Sequence, residues 1–166
     1  MKVIFVSLIL LFVSLSAESG ELDSTYIELW DETTEGGDAT LFYEGADTIK
    51  LYVRFANETN QQHFTYFYSK NNLDSAFAKI IYYNRPAYWS EKIAKEMGDS
   101  VVFDWKKSKI NEYFVRIENR KFLKFEEKSN NIEIELPVLK NDTLENLILS
   151  IEKETKKQFT HKSPNE

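Results

Sequence analysis

The strongest constraint on the fold is the spacing of the apolar side chains, which from Thr25 onward recur mostly at every second residue. Period two places alternate side chains on opposite faces of an extended strand. Ile49, Leu51, Val53 and Phe55 make the clearest case, with Lys50, Tyr52 and Arg54 between them as the outer face. Phe64-Tyr66-Tyr68, Ile80-Tyr82, Val101-Phe103-Trp105 and Tyr113-Val115-Ile117 alternate in the same way, as do Ile132-Ile134-Leu136 and Leu147-Leu149-Ile151. About ten such runs at 8 to 12 residue spacing predict an all-β domain, a sandwich or a barrel. Turn chemistry separates them at Glu35-Gly36-Gly37-Asp38, Glu44-Gly45-Ala46-Asp47, Asn71-Asn72, Gly98-Asp99, Asn119-Arg120 and Ser129-Asn130-Asn131. Such short links favour antiparallel neighbours. In one stretch Trp89, Ile93 and Met97 recur every fourth residue, so a short helix over 89–97 and an irregular loop are equal alternatives.

Domain organisation follows from the two ends. Lys2 precedes an apolar run from Val3 to Val13, and Ser14-Leu15-Ser16-Ala17 supplies small residues at a cleavage spacing. Residues 1–17 are therefore expected to be a secretory signal peptide, too short to span a bilayer as an anchor. Residues 18–152 are expected to form the β domain, and 153–166 a polar, frayed C-terminal tail without an apolar face. Asn57-Glu58-Thr59 and Asn141-Asp142-Thr143 are glycosylation acceptor patterns consistent with a secreted, extracellular protein.

Composition excludes several functions. The chain has no cysteine, so thiol chemistry, disulfides and Cys-ligated metals are ruled out. With 42% hydrophobic and 14% aromatic residues it can build a core without staples. The net charge of −6, which becomes −7 when Lys2 is cleaved away, argues against nucleic acid or anionic membranes as main partners. No stretch beyond the signal could insert in a membrane.

Catalytic signatures are scarce. His63 and His161 are the only histidines, and there is no H-E-x-x-H pattern, G-x-S-x-G elbow or P-loop. Glu133 and Glu135 would lie about 7 Å apart on one strand face, within range of a glycosidase pair, but alternating Glu is better read as a solvated face. Asp31, Glu32 and Asp38 lack EF-hand spacing and read as a polar loop. The expectation is therefore no enzyme, no metal and no cofactor. The aromatic excess is more informative. Tyr82, Tyr83, Tyr88 and Trp89 surround Asn84-Arg85-Pro86, combining flat rings with amide and guanidinium donors as sugar sites do. For any single ring, a place in the core is the stronger alternative; for Trp89 the two are even.

The order of these features resembles the galectin family of galactoside-binding lectins, which are jelly-roll sandwiches of two antiparallel sheets. The stretch from Thr48 to Glu152 carries it. Trp89-Ser90-Glu91-Lys92 is similar to the family's Trp-Gly-x-Glu-x-Arg segment, and Asn111 to Phe125 to its strand-turn-strand ending in an aromatic. Asn131 to Leu136 and Leu144 to Ile151 are similar to its closing strands. Of the His-x-Asn-x-Arg motif, His63 is kept while Thr65 and Phe67 replace the amide and the guanidinium. The resemblance implies a secreted lectin that binds a glycan or glycoprotein, with His63, Thr65, Asn84, Trp89, Glu91 and Lys92 as site residues. Two other classes stay open: a lipocalin-like β-barrel carrier of a small apolar ligand, and a protein-binding sandwich without a small-molecule site.

Overall fold

The computed structural model describes residues 22–29, 35–132 and 141–161. Seven strands follow one another: β1 (Asp23–Glu28), β2 (Gly37–Glu44), β3 (Asp47–Ala56), β4 (Asn60–Ser69), β5 (Asn72–Tyr82), β6 (Lys109–Glu118) and β7 (Lys121–Ser129). Each pairs antiparallel with the next, in one sheet of order β1 to β7. Between β5 and β6 lie α1 (Glu91–Glu96) and a 3-10 turn over Trp105–Lys107, and the chain closes with α2 (Asn141–His161).

Local chemistry explains the hairpins. The β4–β5 and β6–β7 links are two residues each, Lys70-Asn71 and Asn119-Arg120, and all four have positive φ of 49–63°. Paired left-handed residues give the primed turns whose twist matches antiparallel strands. Asn71 also ties neighbouring hairpins together, since its Nδ2 donates to Asp47 at 2.5 Å and its Oδ1 accepts from the Thr48 amide at 2.6 Å. Gly37 has a different reason, because a Cβ there would stand 2.7 Å from the Arg54 carbonyl across the ladder.

The core lies on one face. Leu51, Val53, Phe64, Tyr66, Ala76, Ala78, Ile80 and Val115 are buried there with Leu144 and Ile148 of α2. Tyr66 is fully buried and donates its hydroxyl to the Ile148 carbonyl at 2.8 Å, fixing the helix on the sheet. Helix α2 carries Leu144, Ile148, Glu152 and Thr155 as its buried stripe, with Ile151 and Phe159 packed alongside. These positions follow helical spacing.

The domain is β-rich and antiparallel as expected, built on one seven-stranded sheet. Among the described residues the sheet is covered by a helix and not by a second sheet. Leu147-Leu149-Ile151, read as a strand, belongs to α2, because the same residues also fit a 3.6-residue period and only Ile148 between them is fully buried. The frayed tail is corrected for the same reason: residues 153–161 continue α2, and Thr155 and Phe159 supply the face that an apolar count overlooks. Val101-Phe103-Trp105 is not a strand either. Asp104 accepts from the Lys106 amide at 2.9 Å and caps the 3-10 turn. A helix does lie within 89–97, as α1, with Ser90 at its N-cap. The signal peptide, Asp31, Glu32, Glu133, Glu135, and Ile134 and Leu136 of one predicted strand lie outside the described residues.

Candidate functional site

Among the described residues, no helix lies over the second face of the sheet. Along β3 to β6 the residues alternate with the core set, so the ladder registers place Asp38, Arg54, His63, Lys79, Glu112 and Lys128 side by side across it. The adjacent row is Tyr26, Thr40, Tyr52, Thr65, Phe77, Phe114 and Glu126. One row is charged and the next largely aromatic. Tyr26 is 58% exposed and Phe114 44%. A hollow of about 270 Å³ sits on this face among Phe77, Phe114, Glu112, Glu126 and Lys128.

His63 is the centre of the polar row. Its Nδ1 lies 2.8 Å from the Tyr52 hydroxyl and its Nε2 3.4 Å from Gln61 Oε1. The Gln61 oxygen can only accept, so Nε2 carries the proton and Nδ1 accepts from Tyr52. Burial raises the Tyr52 phenol above its usual range, which keeps it protonated as that donor. Burial lowers the His63 imidazole below its usual value, and the neighbouring Arg54 and Lys79 charges add to the effect. The ring is therefore neutral at pH 7. Arg54 stands directly opposite His63 and pairs with Asp38 at 2.6 Å, while Lys79 pairs with Glu112 at 3.1 Å. The result is a row of alternating donors and acceptors held in fixed positions by the sheet.

Of the residues expected to bind a ligand, His63 and Thr65 lie on this face, from alternate positions of β4. Asn84, Trp89, Glu91 and Lys92 lie elsewhere, in the β5–β6 connection. No hydrogen bond, ion pair or ring contact joins the two groups among the described residues. Asn84 is structural: its amide nitrogen donates to the Val102 carbonyl and its oxygen accepts from the Asp104 amide, both at 3.0 Å. Arg85 is likewise engaged, with Nε on Asp99 at 2.8 Å and Nη1 on the Asn84 carbonyl. Trp89 is half-buried, with its indole N–H buried and unpartnered, so that group offers nothing to a ligand. Among the described residues the exposed tryptophan is Trp105, at 49%, packed beside Tyr83 at 5.7 Å. Glu91 and Lys92 are exposed at the start of α1. The acceptor Asn57 sits in the β3–β4 turn, its Nδ2 on Asn60 at 3.2 Å; the side chain of Asn141 lies outside the described residues.

Sequence reasoning missed two features. Arg54 was read only as an outer-face residue of its strand, although it is the guanidinium nearest His63 in the ladder. Glu152 enters the sequence reading only as the last residue of the expected β domain, and it is 3% exposed in a core position of α2. Its two oxygens accept from the Tyr68 hydroxyl at 2.9 Å and from Arg120 Nη2 at 3.1 Å. Burial, and then the Glu152 charge, push the Tyr68 phenol far above its usual range, so it remains a donor. Beside this pair a cavity of about 430 Å³ opens between the β4–β5 and β6–β7 turns and α2. No signal in the linear sequence joins residues 68, 120 and 152.

Among the described residues, no group of three or more His, Asp or Glu side chains could hold a metal ion, and no helix is long and apolar enough to cross a membrane. In comparisons with known proteins, no family model, no curated protein and no solved structure matches this chain.

Proposed function

We propose that this protein is a secreted binding module that recognises a glycan or glycoprotein through the open face of its sheet. One observation carries the reading. A row of positioned donors and acceptors, Asp38, Arg54, His63 and Lys79, runs beside a row of rings, Tyr52, Phe77 and Phe114, on a face that no helix covers among the described residues. Sugars ask for both kinds of group, because their hydroxyls need directed partners and their C–H faces need a flat apolar surface. The hollow over Phe77 and Phe114 is of a size for one or two saccharide units, and Arg54 and His63 border the same rows. The galectin resemblance supplies the ligand class of the proposal, and His63 and Thr65 are the positions that resemblance and open face share. Recognition of this kind is reversible and needs no cofactor.

The test is a glycan array probed with purified protein, its Arg54→Ala and His63→Ala variants, and a Phe114→Ala variant. Each lost hydrogen bond to a charged group weakens binding by about 1.5–3 kcal/mol, roughly tenfold or more. Selective signal that falls in all three variants supports the reading. A blank array from folded protein, or signal indifferent to all three, overturns it.

A further inference from the structure

The cavity between the two primed turns and α2 is built differently from the open face. Its walls include Tyr68, Leu73, Asp74, Arg120, Glu152 and Lys156. The volume of about 430 Å³ falls in the range of small-molecule sites. Glu152 and Arg120 neutralise each other at 3.1 Å, and Arg120 engages only Nη2, on Glu152 and the Leu149 carbonyl, so Nε and Nη1 are unspent. Three charges remain, on Lys156, Asp74 and Glu118. Among the described residues, Lys156 holds its ammonium 4.4 Å above the Tyr68 ring and pairs with no carboxylate within 4.0 Å, and neither Asp74 nor Glu118 pairs with a cation. A cation and two carboxylates thus face one cavity without satisfying one another.

The backbone adds an independent sign. Arg120 occupies a left-handed position, φ 59°, in a turn where Gly, Asn or Asp is the ordinary choice. Its side chain is nonetheless the one that reaches Glu152. In this pair Arg120 is half exposed and Glu152 is buried, and a buried carboxylate carries a desolvation cost that an apolar residue of the same volume would not. Polar groups kept at such a position, at the edge of a cavity, are more readily explained by a ligand than by the fold.

We propose that this cavity binds a small zwitterion, a molecule of free amino acid size with an ammonium and a carboxylate. The ammonium would pair with Asp74, and the carboxylate with Lys156 and the free edge of Arg120. Tyr68 and Leu73 would flank the ligand's carbon skeleton. The site is separate from the open face, so the two proposals stand or fall independently.

Titration calorimetry of the full chain against each of the twenty L-amino acids tests it. At least one is expected to bind. For that ligand, N-acetylation, which removes the ammonium, and methyl esterification, which removes the carboxylate, should each weaken binding tenfold or more. Asp74→Asn and Lys156→Met should do the same, with circular dichroism confirming that each variant is folded. Should a variant not fold, the two blocked ligands decide alone. No heat from any amino acid up to about 10 mM, a concentration that would show even millimolar affinity, overturns the proposal. So does equal binding of the blocked forms, or wild-type binding by both folded variants.

Discussion

The two faces of the sheet are made by the same strands, yet they behave as different materials. On the covered face, Phe64, Tyr66 and Val115 are fully buried beneath α2, and the Tyr66 hydroxyl is satisfied by a helix carbonyl. On the open face, one residue along each strand, Thr65, Phe77 and Phe114 keep solvent contact, and the polar groups satisfy one another across strands. The difference shows where stability resides and where side chains stay accessible. Packing density makes a side chain indispensable to the fold, whereas exposure with fixed geometry makes it available to a partner.

Adjacent residues of β4 give the largest contrast. Phe64→Ala leaves a cavity under α2 and should cost about 3–5 kcal/mol, while Thr65→Ala next to it should stay within about 0.5 kcal/mol. Urea denaturation of the two variants measures this; equal losses would mean that the open face is not open in solution. A smaller effect sharpens the covered side. Arg120→Ala strands the Glu152 carboxylate in its buried position and should cost about 1–3 kcal/mol. The double replacement Arg120→Leu with Glu152→Leu should recover most of that loss, because no buried charge then remains. If the double variant is no more stable than the single one, the ion pair is a net stabiliser.

The smallest effect is on pH dependence. The His63 imidazole titrates below its unfolded value of about 6.5, so the unfolded chain binds the proton more readily than the folded one. Stability is therefore unaffected above about pH 6.5, falls as pH drops through that value, and levels off below the folded value. Thermal melts between pH 7.5 and 4.5 should show a shallower acid-side loss in His63→Gln than in wild type. Identical slopes would show that the ring is not held neutral by its surroundings.

Much of the open face was legible in the sequence. Alternation in 49–55 and 64–68 separates inward from outward residues without any knowledge of the partner strand. Residues whose neighbours lie across a ladder were not legible, and Arg54 beside His63 is the example: their pairing depends on a register fixed by the β3–β4 turn. The β5–β6 connection misled for a related reason. Asn84, Arg85 and Trp89 have the composition of a sugar site, but there the loop's own backbone and Asp99 take up the amide and guanidinium, and the indole N–H is buried.

The sequence alone determined the β-rich character of the chain, the inward set along the central strands, and several of its turns, because period two and residues tolerant of positive φ are local properties. Tertiary structure decided what covers the sheet. Residues 144–151 alternate well enough for a strand and recur well enough for a helix, and the choice is made by Tyr66, Tyr68 and Arg120, which satisfy the Ile148 and Leu149 carbonyls and the Glu152 carboxylate at the helix position. Those partners are 29 to 84 residues away in the chain. A local pattern cannot register an energy that arises only when distant segments meet, and for that reason both the helix that covers one face and the charged cavity became visible only in the folded molecule.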